Sequence, residues 1–325
     1  MIKILSTAVM VSMLAGSALA AEMELKFGHV GAPGSLFAAS VDEFAKRVNA
    51  QMKGRVKIAT FGSSQLGKDK ELLQKLKLGT VDFALPSSVM STVSDQFGLF
   101  EMPYLVQSRD HMKRIEKEIF WSQIAPSAEA KGYKVLAIWE NGFRHITNNL
   151  RPIDQPGDLQ GIKLRTPKGA WRVKMFKSYG ANPTPMAFSE VFTALKTGVI
   201  DGQENPFAQI YSAKFQEVQE FLSLTGHVYT PAYVLVGKKK WDSLPADIRA
   251  DLERIAKESQ SYVYDTAAAL ETDLLDKLKA GGMKVNTADK AAFVKASDGI
   301  YKDYASSVSG GQAMVDKALS LADGS

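Results

Sequence analysis

Arg165 is the residue whose type and setting best suit a chemical task. It closes the run Gly161-Ile162-Lys163-Leu164-Arg165-Thr166-Pro167, where Ile162 and Leu164 alternate as along a strand. Open α/β sheets bind ligands in the crevice beyond their strand ends. A guanidinium placed there is a planar fork of five donors that meets a carboxylate with two parallel hydrogen bonds. The same residue could equally pair with an acidic neighbour or lie in solvent. Asp201-Gly202-Gln203-Glu204-Asn205-Pro206 offers polar groups in a second such place. Asp201 and Glu204 are also a possible acid/base pair, a reading weakened because carboxylates commonly flank turns.

Between these two ends the residues describe a strand, helix, strand unit. Ser189 is a good helix N-cap, Glu190 suits a first turn, and Gly198 suits the residue past the last turn. Trp171 follows Lys168-Gly169-Ala170 at a helix start, where it can touch a solute or pack in the core. Met175 and Phe176 read as core.

The runs Lys-Leu-Arg-Thr-Pro (163–167), Gly-Ala-Asn-Pro-Thr-Pro-Met (180–186), Ser-Glu-Val-Phe-Thr-Ala-Leu-Lys-Thr-Gly (189–198) and Val-Ile-Asp-Gly-Gln-Glu-Asn-Pro (199–206) closely resemble the solute-binding proteins of TRAP transporters, of the DctP type. The turn Asn141-Gly142-Phe143-Arg144 is a further shared feature. The resemblance implies an α/β, two-lobed periplasmic-binding-protein fold with a ligand cleft between the lobes and a long helix spanning both. It implies that Arg165 grips the solute carboxylate, that Asn205 fixes it from the second strand end, and that Arg144 adds charge or a water-mediated contact. Trp171 stands where the family varies with its solute, and Phe188 and Phe207 hint at a partly apolar tail.

Elsewhere, Glu24 to Val30 and Arg55 to Thr60 alternate like strands, and Ser35 can cap a helix carrying Phe37, Val41, Phe44, Ala45 and Val48. The segment Leu76-Lys77-Leu78-Gly79-Thr80-Val81-Asp82 echoes Leu195-Lys196-Thr197-Gly198-Val199-Ile200-Asp201. Two lobes of similar build follow if the echo is more than coincidence. Pro86-Ser87-Ser88 marks the first lobe's cleft edge, offering hydroxyls and backbone amides, or an ordinary turn, and Ser87, Glu71 and His29 complete the candidate ligand-binding set. Arg109 to Ile124 reads as an amphipathic surface helix, Glu140-Asn141-Gly142 as a turn, and the stretch beyond Pro245 as a helix to about Ala280. The expected division is 21–142 plus 231–270 for lobe I and 143–230 plus 271–325 for lobe II.

Lys3, an apolar run from Ile4 to Leu19 and Ala18-Leu19-Ala20 describe a secretory signal peptide, residues 1–20, cut after Ala20. A periplasmic address follows. The chain has no cysteine, hence no disulfide framework and no lipid-acceptor thiol. Loss of Lys3 takes 40 basic residues to 39, against 35 acidic ones. So small an excess gives no case for nucleic acid and slightly favours anionic solutes. Four histidines without metal-ligand spacing, no nucleophile elbow and no phosphate loop lower the prior for an enzyme. The expected protein is a monomeric receptor that needs no cofactor and serves a TRAP membrane permease. A periplasmic enzyme acting on an organic acid, or a receptor for a sensor kinase, are the alternatives.

Overall fold

The structure is a computed structural model describing residues 22–322, so the signal peptide expected at 1–20 lies outside the described residues. Among the described residues eleven strands build two sheets. β1 (Met23–Gly28), β2 (Val56–Phe61), β3 (Phe83–Ala84), β4 (Tyr133–Phe143) and β10 (Tyr229–Gly237) form the first, in the order β2-β1-β3-β10-β4. β5 (His145–Asn148), β6 (Lys163–Thr166), β7 (Asn182–Pro185), β8 (Gly202–Asn205), β9 (Phe221–Leu224) and β11 (Lys284–Thr287) form the second, in the order β11-β9-β5-β8-β6-β7.

The chain passes between the sheets along two neighbouring paths. β4 and β5 are separated by Arg144 alone, and β9 and β10 by Thr225 to Val228. The Arg144 backbone N–H donates to the Val228 carbonyl at 2.9 Å, joining the two paths where they cross. A third connection is the helix Ala246–Ala280, whose 35 residues extend about 52 Å. It packs against the helix Leu36–Gln51 and β4 on one side and against Phe207–Ser212 on the other, so it touches both sheet units.

Local chemistry accounts for most element edges. Ser35 Oγ accepts from the Ala38 N–H and starts the helix Leu36–Gln51, whose inner face packs Phe44 against Phe27, Phe83 and Trp139. The internal echo is structural. Gly79 and Gly198 each end a helix at φ 72°, a conformation that favours glycine. Asp82 then accepts from the Lys26 N–H, and Asp201 from the Lys163 N–H, each at 2.8 Å across its own sheet. The two units therefore share one way of fastening a strand to its neighbour.

Three expectations are corrected. Residues 109–124 are amphipathic as read, with Asp110, Lys113, Lys117 and Glu118 exposed, but they do not form one regular helix. After a short helix, Arg109–Ile115, the turns widen to π geometry over Glu116–Ile124, and Met112, Ile115, Ile119, Phe120 and Ile124 are fully buried. Glu140-Asn141-Gly142 is not a turn but a bulge near the end of β4: Pro231 pairs with Glu140 and Thr230 with Gly142, so β10 passes over Asn141, and Gly142 takes φ 118°. Ser189 caps no helix. The start at Ala187 is closed by Glu190, whose carboxylate accepts from the Ala187 N–H at 3.0 Å. Among the described residues no helix is long and apolar enough to cross a membrane.

Candidate functional site

The C-terminal ends of β6 and β8 deliver Arg165 and Asn205 to one open cleft between the sheets, with a cavity volume of about 110 Å³. From the first unit it is lined by Val30, Phe37, the start of the helix Asp69–Leu78, Ser87, Ser88 and Asn141. From the second come Arg144, Met186, Phe188 and Gln209 beside Arg165 and Asn205.

Arg165 is 4% exposed, yet no carboxylate lies within 4.0 Å of it among the described residues. Its Nε and one terminal nitrogen donate to the Met186 carbonyl at 3.1 and 2.8 Å, which sets the plane of the guanidinium. Burial lowers its pKa to about 10, with Glu204 opposing, so it remains a cation at neutral pH. A buried cation held by a backbone carbonyl alone suits an incoming anion.

Arg144 stands in contrast. Its Nε and one terminal nitrogen donate to Glu204 Oε2 and Oε1 at 2.5 and 3.0 Å, and the same terminal nitrogen reaches the Glu204 carbonyl and Asn205 Oδ1. Arg172 donates to Glu204 Oε2 at 2.6 Å and lies 3.1 Å from Glu101. His227 Nε2 is 3.0 Å from the same Glu204 oxygen, with Thr225 Oγ1 at its other nitrogen. Burial pushes the Glu204 carboxyl up, but Arg144 and Arg172 outweigh it and hold the group well below the usual range. Burial lowers the His227 pKa to about 4, so the ring is neutral.

Asn205 is positioned from behind. Its Nδ2 donates to Gln203 Oε1 at 2.5 Å, Gln203 donates to Thr147 Oγ1, and Thr147 donates to Gln219. Its Oδ1 is already engaged by Arg144.

The other expected site residues separate into two groups. Ser87, Glu71 and Phe188 line the cleft. The Ser87 hydroxyl donates to the Pro231 carbonyl at 2.6 Å, and Glu71 Oε2 accepts from the Lys68 N–H at 3.1 Å, so both are partly engaged within the protein. Phe188 is half-buried with its ring edge-on to Phe215. Trp171 and His29 are not among the cleft-lining side chains. Trp171 packs edge-on to Tyr304 at 5.2 Å under Lys174, which is core packing against the C-terminal helices. His29 is buried beneath the end of β1 beside Gly31 and Gly62. Phe207 stacks on His145 at 4.4 Å and also faces away from this cleft.

The acid pair is likewise dispersed, since Asp201 fastens Lys163 while Glu204 sits inside the arginine network. Ser88, read with Ser87 as part of the cleft edge, does line the cleft. Sequence reasoning missed Asp69, Gln209, Arg172 and Glu101. The helix start after Gly67 was the one available signal for Asp69; the other three have no spacing that marks them.

The model of the DctP family, "Bacterial extracellular solute-binding protein, family 7", matches residues 27–307. The 2,3-diketo-L-gulonate-binding periplasmic protein YiaO of Escherichia coli is 36% identical over 86% of this chain and 86% of its own. A TRAP periplasmic solute-binding protein from Sulfurospirillum deleyianum, solved with bound succinate, superposes with a TM-score of 0.88 at 32% identity, covering 93% of this chain and all of that one. The sugar acid binding protein DctPAm from Advenella mimigardefordensis, solved with galactonate, gives 0.88 at 31% identity, covering 93% and 98%. With two sheets bridged at Arg144, an anion-ready cleft and a family match over most of its length, the chain belongs to the DctP family of bacterial extracellular solute-binding proteins.

Proposed function

We propose that this protein is the periplasmic solute receptor of a TRAP transporter: it takes a small organic carboxylate, a short dicarboxylate or related organic acid, into the cleft and delivers it unaltered to the membrane permease. The observation that carries this reading is Arg165, a buried guanidinium in the cleft with no carboxylate of its own. Two of its nitrogens are held at Met186, so the fork is oriented before the solute arrives. Asn205 then adds a contact from the second strand end. Arg144, already bidentate to Glu204, contributes field and position more than a direct bond.

Residues 21–142 plus 231–270 and residues 143–230 plus 271–325 act as the two lobes, hinged where Arg144 meets Val228. A solute touching both stabilises the closed arrangement, which the permease reads by shape. The mature chain begins after Ala20 and works as a monomer.

Thermal shift against a panel of organic acids tests the reading, because a ligand at about 100 times its Kd adds roughly 2.7 kcal/mol of apparent stability. Arg165→Ala should weaken the best acid by about 2–5 kcal/mol. Arg165→Lys should also bind poorly, since a point charge cannot reproduce the fork. A chain that shifts with no acid, or an Arg165→Ala variant that binds like the parent, ends the proposal. Recovery of a chemically changed acid would move the protein to the enzyme class.

A further inference from the structure

We propose that the preferred solute is a polyhydroxylated monocarboxylate, an acid of the aldonate kind, whose hydroxyls are taken by Asp69, Gln209 and Ser88 while Arg165 takes its carboxylate. This rests on the carboxylate-receptor reading and narrows it to one solute class.

Asp69 opens the helix Asp69–Leu78 and lines the same cleft as Arg165. The two are close enough that the charge of each shifts the proton affinity of the other. Its neighbours are committed elsewhere: Glu71 accepts from the Lys68 N–H, and the Lys68 ammonium donates to Glu190 at 2.7 Å. No side chain of another described residue donates to the Asp69 carboxylate.

Gln209 is fixed with its oxygen unused. Both amide hydrogens of Asn141 go to hydroxyls, Ser87 Oγ and Thr230 Oγ1, each at 3.2 Å. Only the Asn141 oxygen is left for Gln209, which must therefore donate through Nε2, at 3.3 Å. Gln209 Oε1 is left buried without a partner, and so is Ser88 Oγ. Both residues line the cleft.

A carboxylate and an amide oxygen accept hydrogen bonds and do not donate them. A solute satisfies them with O–H groups. The second carboxylate of a dicarboxylate carries no proton at neutral pH and would meet the like charge of Asp69. A plain aliphatic acid would leave the acceptors unpaired, the situation in which a polar site rejects a close analogue most strongly. Phe37, Val30, Met186 and Phe188 cover the C–H faces of such a chain. Burial raises the Asp69 pKa to about 6, with Arg165 opposing, so the group is an ionised acceptor at pH 8.

The test is calorimetry at pH 8 on the mature chain with epimeric aldonates, succinate and hexanoate, for the parent, Asp69→Asn and Arg165→Ala. The best aldonate should bind at least about tenfold more tightly than succinate or hexanoate, and Asp69→Asn should weaken it at least about tenfold while leaving succinate as tight or tighter. Succinate or hexanoate matching the best aldonate overturns the proposal; if Arg165→Ala still abolishes that binding, the receptor reading survives alone. Equal losses for aldonate and succinate in Asp69→Asn, with an unchanged melting temperature, also overturn it, by making Asp69 indifferent to hydroxyls. A parent chain that binds no acid in the wider panel fails both.

Discussion

Arg144 and Arg165 stand in one cleft, both buried, and differ in what faces them. Arg144 is enclosed by Glu204, Asn205 and Thr230. Arg165 has a carbonyl and the cleft. Desolvating a guanidinium costs several kcal/mol, and the cost is offset only where a partner with good geometry is present. In the first case the protein supplies the partner and the result is a rigid crossing between the sheets. In the second the partner must come from outside. The same side chain therefore serves stability in one place and affinity in the other, and substitutions should separate the two.

The largest expected effect is on the enclosed side. Glu204→Gln keeps the shape but leaves Arg144 and Arg172 facing each other across a neutral group, with Glu101 the remaining acid. Breaking a buried pair in this way costs about 3–5 kcal/mol. Urea unfolding of the solute-free protein should show that loss. Arg165→Ala, by contrast, should leave solute-free stability nearly unchanged while removing affinity. If Glu204→Gln melts like the parent, or Arg165→Ala destabilises as much as Glu204→Gln, the contrast between the two arginines is lost.

Acid should act on the enclosed side through His227, and beneath the end of β1 through His29. His29 and His227 are buried and neutral, and burial lowers the pKa of each from 6.5 to about 4. A group whose folded pKa is depressed contributes stability that is complete above its unfolded value and is lost as pH falls. Below about pH 6.5 the unfolded chain takes up protons that the folded chain refuses, so stability should decline by up to about 1.4 kcal/mol per pH unit for each ring, down to about pH 4. Arg165 keeps its proton throughout that window. Stability followed from pH 7.5 to 4.5 should therefore slope downward, and His29→Gln should flatten the slope without touching solute affinity. A slope unchanged in His29→Gln would show that this ring titrates normally, because Asp69, with its raised pKa, pulls stability the opposite way in both proteins.

How much of this was legible in the sequence follows from how local the causes are. Ser35 caps its helix, and Gly79 and Gly198 end theirs, because these effects act within one turn. Arg165 could be read because a strand pattern led directly to it. Trp171 could not be assigned, since an aromatic ring at a helix start carries no mark of the face it presents, and here that face meets Tyr304 from a distant helix. The β4 strand hid its own end. Asn141-Gly142 has turn chemistry, and the fold uses it for a bulge, with Gly142 at φ 118° and Asn141 passed over by β10, a much later segment that keeps the strand going. The Glu101, Arg172 and Glu204 cluster assembles residues from a 3-10 helix, an α-helix and a strand that no periodicity connects.

The smallest effect concerns a contact by which the outer edges of the cleft touch through charge. Lys68 precedes the helix that carries Asp69, Glu190 follows Phe188, and their side chains meet at 2.7 Å across the cleft. Both are well exposed, so water and salt screen the pair, and ion pairs of this kind add little to folding stability. Its place gives it a kinetic role instead, because the two charges must separate whenever the cleft opens. Glu190→Gln removes the charge and keeps an oxygen that can accept from the Ala187 N–H. Solute dissociation from this variant should quicken by a small factor at low salt. In about 1 M salt, where the screening length falls to about 3 Å, parent and variant should release solute alike. A difference that persists at high salt would point to the disturbed start at Ala187, and identical rates at low salt would mean that the pair forms without holding the cleft shut.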